Sequence, residues 1–160
     1  MVDITHTNAC CFTGHRPEKL NMSEYEVKCK LEEAIRQTIR DGYTIFISGM
    51  ACGVDLWAAE IVLRLKNEGY PINLVCAIPF HGFEKRWEQE QIKEYDAILN
   101  QAQKIEYICS HFSKYSFQLR NKWMVDNSSR IIAVYNGSTG GTRNTLKYAG
   151  TQEKEIIILN

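Results

Sequence analysis

The residues of this chain best suited to chemistry lie in two small-residue turns, each following an apolar run. Ser48-Gly49-Met50-Ala51-Cys52-Gly53-Val54-Asp55 follows Ile45-Phe46-Ile47, and Asn136-Gly137-Ser138-Thr139-Gly140-Gly141-Thr142 follows Arg130 to Tyr135. Glycine lets a backbone pass close to a ligand or take φ > 0. A helix start adds unpaired N–H groups and the positive end of a dipole. Either turn can therefore cradle an anion. A third turn, Gly14-His15-Arg16-Pro17, supplies a guanidinium that can hold phosphate through two N–H groups at once. Asp55 falls in the first turn of a helix, where a carboxylate caps the backbone or accepts from a ribose hydroxyl. The competing reading is that these are ordinary strand-to-helix turns whose glycines ease packing. Two anion cradles on one rim exceed what packing needs.

The elements that must position these turns follow from periodicity. Ala9 to Thr13, Ile45 to Ser48, Ile72 to Ile78, Ile105 to Cys109, Arg130 to Tyr135 and Ile156 to Leu159 read as short apolar strands. Between them lie helices: one capped by Ser23 with Glu26 three residues on and a stripe of Val27, Leu31, Ile35 and Ile39; one with Trp57, Ala58, Ile61, Val62 and Leu65 on one face; one over 84–100 carrying Trp87, Tyr95, Ile98 and Leu99; one with Leu119, Trp123 and Met124 inward; and a short one to about Ala149. Strict alternation of apolar strand and helix predicts an α/β fold with a parallel sheet covered on both faces. The expectation is one three-layer, doubly wound domain over residues 1–160 with about six strands in the order 3-2-1-4-5-6. In such a sheet the strand ends form one rim, and ligands bind there near the switch point, here expected between strands 1 and 4.

Bulk properties narrow the function. The 160 residues carry no net charge, with 44% hydrophobic and 24% charged residues, as in an ordinary globular domain. Without a global positive field, nucleic acid is a disfavoured partner. No apolar run reaches transmembrane length and Met1 to His6 lacks a signal pattern, so a cytoplasmic location without membrane association is expected. The six cysteines include no Cys-x-x-Cys pair, so neither zinc nor disulfides are expected. Cys52 alone lies in a candidate site. Gly-x-x-x-x-Gly-Lys-Ser/Thr is absent, and no Gly-x-Gly-x-x-Gly follows strand 1, which argues against a Walker-type NTPase and an ordinary NAD site. No resident cofactor is expected. A homo-oligomer is left open.

Thr13-Gly14-His15-Arg16-Pro17, the run from Ser48 through Asp55 to Glu60, Arg120-Asn121 with Met124-Val125-Asp126, and Tyr135-Asn136-Gly137 with Gly140-Gly141-Thr142 together resemble the YpsA-like proteins of Gram-positive bacteria and their phages. The resemblance spans essentially the whole chain. That family belongs to the SLOG superfamily, with the DNA-processing protein DprA and the LOG phosphoribohydrolases. It implies a Rossmann-like domain that binds a nucleotide or nucleotide-derived ligand. The candidate ligand-binding residues are Gly14, His15, Arg16, Ser48, Gly49, Gly53, Asp55, Arg120, Gly137, Gly140, Gly141 and Thr142.

One departure matters. LOG enzymes carry Gly-Gly-x-Gly-Thr-x-x-Glu, and at the Glu position this chain has Thr145. A threonine cannot serve as a carboxylate base or stabilise an oxocarbenium-like centre as an anion does. Glu60, further along its helix, is expected to face solvent or pair. Three classes therefore stand in order: binding of a nucleotide-like small molecule in a sensing or sequestering role, a nucleotide-processing enzyme that cleaves an N-glycosidic bond, and DprA-like single-stranded DNA binding. His6 and His111 support none of them. Trp57, Trp87 and Trp123 read first as core, Trp87 being the most site-like.

Overall fold

A computed structural model describes residues 6–160. The tail 1–5, part of the stretch searched for a signal pattern, lies outside it. Six strands, β1 (Ala9–Gly14), β2 (Ile45–Ser48), β3 (Asn73–Phe80), β4 (Lys104–Cys109), β5 (Arg130–Val134) and β6 (Glu155–Leu159), alternate with five helices. These are α1 (Glu24–Arg40), α2 (Val54–Asn67), α3 (Gln89–Gln101), α4 (Ser116–Asp126) and α5 (Gly141–Thr151). All strand pairings are parallel. The α/β doubly wound architecture is as the alternation predicts.

The strand order is β4-β3-β2-β1-β5-β6, not the expected 3-2-1-4-5-6. The fourth strand continues outward beyond β3 instead of returning to β1. Side-chain character explains this: Lys104 and Glu106 leave β4 partly exposed along its length, which suits an edge, whereas every residue of β5 is buried. Only a strand apolar on both faces can sit beside β1 between two helical layers. The switch point accordingly lies between β1 and β5.

Alternation along the strands divides the core. Cys10, Phe12, Phe46, Leu74, Cys76, Ile78, Ile132 and Val134 face one layer with the stripes of α1 and α2 and with Tyr95 and Ile98 of α3. Cys11, Ile47, Val75, Ala77 and Ile131 face the other, with Met124 and Val125 of α4 and Ala149 of α5. Each large apolar side chain so buried stabilises the fold by roughly 1.5–3 kcal/mol. At the capping box, the Ser23 hydroxyl accepts from the Glu26 N–H at 3.1 Å, fixing where α1 begins.

Two helix readings need correction. α3 starts at Gln89 rather than Glu84, because the chain turns repeatedly between Phe80 and Trp87. In α4 it is Arg120 that is buried beside Met124 and Val125, while Leu119 is 46% exposed. At the opposite end of the sheet from the strand ends, Arg130 is buried among Asp41 (2.8 Å), Glu155 (3.0 Å) and the Thr38 hydroxyl (3.1 Å), with the Tyr43 ring 4.7 Å away. This knot ties the end of α1 to the starts of β5 and β6.

Candidate functional site

The backbone bends at the end of β2. Met50 is fully buried with φ 62°, a left-handed conformation that costs a non-glycine residue about 1–3 kcal/mol. The Ser48 hydroxyl holds the bend, accepting from the Met50 N–H at 3.1 Å and donating to the Asp55 carbonyl at 2.8 Å. Asp55 in turn accepts from the Ala51 N–H at 3.3 Å through Oδ2. Gly49 is required for proximity, not for its φ: a β-carbon there would lie 2.8 Å from Arg120 Nη1 and 3.0 Å from Asp55 Oδ2. Gly53, at φ 94°, ends the turn with Pro17 packed over it.

Arg120 reaches this turn from α4. It is 5% exposed, donates through Nη1 to the Gly49 carbonyl and through Nε to Asn121 Oδ1 at 2.8 Å. Its guanidinium carbon lies 5.9 Å from the Phe83 ring centre and 6.0 Å from that of Phe117. Burial pushes the Asp55 carboxyl above the usual carboxylate range, against the opposing pull of Arg120 and the Ala51 N–H. Burial also raises the Cys52 thiol, with Glu94 adding to the effect, which disfavours the thiolate.

From β1, Thr13 and Gly14 lead to His15, which is buried with its ring centre 5.2 Å from that of Tyr135. His15 Nε2 lies 3.4 Å from the Ser138 hydroxyl, and desolvation, then Lys19, lower its pKa. Gly14 needs to be small because a β-carbon would lie 2.7 Å from Val54. Arg16 and Lys19 are exposed on the following turn and form no ion pair among the described residues. The Asn136 amide donates to the Lys19 carbonyl at 2.8 Å, drawing this turn towards the loop after β5. There Gly140, at φ 140°, ends the loop, and Gly141 opens α5 in ordinary helical geometry.

Together these elements enclose an open cleft of about 790 Å³ at the carboxyl ends of β1 and β5. Its lining includes four aromatic rings, Phe80, Phe83, Trp87 and Phe117, with edge-to-face contacts of 5.8 Å between Phe80 and Phe83 and 5.1 Å between Phe83 and Trp87. It also includes Arg16, Lys19, Arg120 and the Gly140-Gly141-Thr142 turn, with the carboxylates Glu18 and Asp55. Of the twelve residues singled out from sequence, Gly14, His15, Arg16, Asp55, Arg120, Gly140, Gly141 and Thr142 line this cleft. Ser48, Gly49 and Gly53 build the turn beneath it, and Gly137, at φ 92°, shapes the loop without lining it. Glu60 is exposed in a groove between α1 and α2, away from the cleft.

Lys19, Phe83 and Phe117 were not legible as site residues, whereas Phe80, at the end of β3, and Trp87 were. Lys19 carried a weak signal, since a cation three residues after Arg16 in a Pro-started turn can face the same rim. Among the described residues no group of His, Cys, Asp and Glu could hold a metal ion, and no helix is long and apolar enough to cross a membrane.

A doubly wound α/β sheet with its cleft at the switch point defines a Rossmann-like protein. Comparison with known proteins gives the family: the family described as YspA SLOG matches residues 10–157, and the chain belongs to it. Among curated relatives it is similar to the "Uncharacterized SPbeta prophage-derived protein YoqJ" of Bacillus subtilis (strain 168), 36% identical over 142 residues, covering 81% of this chain and 83% of that one. It is also similar to a UPF0398 protein of Bacillus thuringiensis (strain Al Hakam), 28% identical over 153 residues, covering 90% of this chain and 83% of the relative.

Two solved structures share the fold. DprA of Streptococcus pneumoniae matches with a TM-score of 0.68 at 16% identity, covering 96% of this chain and 50% of that one. DprA of Helicobacter pylori, whose structure is described for its single-stranded DNA binding mode, matches with a TM-score of 0.68 at 19% identity, covering 95% of this chain and 65% of that one. This chain thus spans half to about two thirds of those proteins.

Proposed function

We propose that this chain binds a nucleotide or nucleotide-derived small ligand in the cleft at the carboxyl edge of the sheet, and acts by sensing or sequestering it. The observation that carries this reading is that a single cleft is lined both by aromatic rings and by Arg16, Lys19 and a glycine-opened helix start. A nucleotide presents a base and a phosphate that suit these two kinds of group. Base–aromatic stacking contributes roughly 1–3 kcal/mol, and hydrogen bonds to a charged phosphate roughly 1.5–3 kcal/mol each. The cleft volume falls within the roughly 300–1,000 Å³ of small-molecule sites. Membership of the SLOG family and the DprA-like fold support the same class of ligand.

Binding without turnover is favoured over N-glycosidic hydrolysis. The Thr145 hydroxyl, at the position where LOG enzymes carry Glu, donates to the Gly141 carbonyl at 2.9 Å. Asp55, buried in the cleft, accepts from the Ala51 N–H through Oδ2, a contact that ties it to the turn before α2. A second reading, single-stranded DNA binding, draws on Phe112 and Tyr115, which are 65% and 56% exposed beside Lys114. Steep weakening with salt would mark that reading, because each neutralised phosphate releases counterions.

The experiment is a mass spectrum of small molecules released on denaturing freshly purified protein. A nucleotide-type mass in near-stoichiometric amount is expected. A released compound with neither base nor phosphate would overturn the reading.

A further inference from the structure

A second cavity adjoins the first. It is a groove of about 450 Å³ between α4 and α5, and it shares Phe117, Asn121 and Gly141 with the main cleft. The start of α5 lies at the junction of the two. Beyond it the groove offers an aromatic ring, Tyr148, with Lys122 Nζ 5.4 Å from the ring centre, and the neutral side chains of Gln118 and Asn144. Lys114 stands at the same groove; no carboxylate is among its lining residues, and the Tyr148 hydroxyl donates to Asp126 Oδ1 at 2.6 Å.

Charge is what singles the pair of cavities out. The chain as a whole is neutral, yet the joined cavities are lined by five cationic side chains (Arg16, Lys19, Arg120, Lys114 and Lys122) and two carboxylates (Glu18 and Asp55). The main cleft by itself has room for one base against its rings and one phosphate near the α5 start. The structure adds a further ring, further amides able to meet a base edge, and two further cations on the far side of the α5 start.

Resting on the nucleotide reading of the main cleft, we infer that the ligand has two nucleoside units joined through phosphate. One base lies against Phe83 and Trp87, the linking phosphate at the Gly141 backbone, and the second unit in the α4–α5 groove beside Tyr148 and Lys122. Phe117, lining both cavities, separates the two units.

The test compares each 5′-mononucleotide with the matching 5′-phosphorylated dinucleotide of the same base by calorimetric titration. The proteins are the wild type and the Lys114→Ala/Lys122→Ala variant, whose two positions are exposed. For at least one base the dinucleotide should bind about tenfold or more tightly than the mononucleotide. The double variant should lose that gain while holding mononucleotide affinity within about twofold and keeping its melting temperature. Equal affinity for the two probes, or a gain that survives in the variant, overturns the two-unit site and leaves the nucleotide reading standing. Affinity that keeps rising with trimers and longer oligomers overturns it in favour of a strand-binding surface. Failure of every mononucleotide and dinucleotide to bind overturns the nucleotide reading itself.

Discussion

Arg120 and Asp55 flank Gly49, where a β-carbon would lie 2.8 Å from Arg120 Nη1 and 3.0 Å from Asp55 Oδ2, and Arg120 donates to the Gly49 carbonyl. A buried cation from α4 is thus locked to the turn that starts α2, across the end of the sheet. The absence of a side chain at Gly49 makes room for the Arg120 guanidinium there.

Replacing Gly49 by alanine should therefore destabilise the protein by about 1–3 kcal/mol, the usual cost of overpacking a filled site. Arg120 is buried and held by the Gly49 carbonyl and Asn121, so its tip cannot swing clear. Urea denaturation of the variant measures this. Wild-type stability would show that the rim is looser than the packing implies.

The two glycines that open α5 should behave oppositely. Gly140 sits at φ 140°, whereas Gly141 is helical with nothing within 4 Å of an added β-carbon. Gly140→Ala should lower the melting temperature. Gly141→Ala should hold or raise it, by the ~0.4–1 kcal/mol gained when glycine's unfolded-state freedom is removed. The positive φ falls at Gly140 and not at Gly141, so any loss of ligand affinity in Gly141→Ala reports contact at the phosphate position.

His15 gives a pH dependence with a definite sign. Desolvation lowers its folded pKa below the unfolded value of about 6.5. In that window the unfolded chain binds more protons, so stability falls as pH drops through about 6.5 towards the folded value. Denaturation midpoints of wild type and His15→Asn at pH 7.5 and 5.5 should diverge, with the wild type losing more on acidification. Parallel losses would contradict the assignment.

Much of this architecture was legible because local chemistry decided it. Ser23 and Glu26 announced α1, and the run Ile45 to Asp55 announced β2, its turn and α2, since caps, glycines and apolar periods act over a few residues. What was not legible depended on distant partners. β4 pairs with β3 at an edge, a choice that Lys104 and Glu106 make only when the competing, fully apolar β5 is weighed beside it. Glu84, Lys85 and Arg86 have helical character, but they lie in turns that bring Phe83 and Trp87 to the cleft. Arg120 is buried where Leu119 was expected, because Gly49 and two aromatic rings receive it.

The central claim is that Arg16 and Lys19 at the cleft hold a nucleotide's phosphate. It is tested most directly by thermal unfolding with each 5′-mononucleotide at saturating concentration, on wild type and on Arg16→Ala/Lys19→Ala. Both residues are exposed, so the unliganded variant should melt as the wild type does. At least one nucleotide should stabilise the wild type, by about 2.7 kcal/mol at a hundred times its Kd, and the variant should bind it about tenfold or more weakly, a difference of about 1.4 kcal/mol. Stabilisation by no nucleotide, or equal stabilisation of both proteins, would contradict the account.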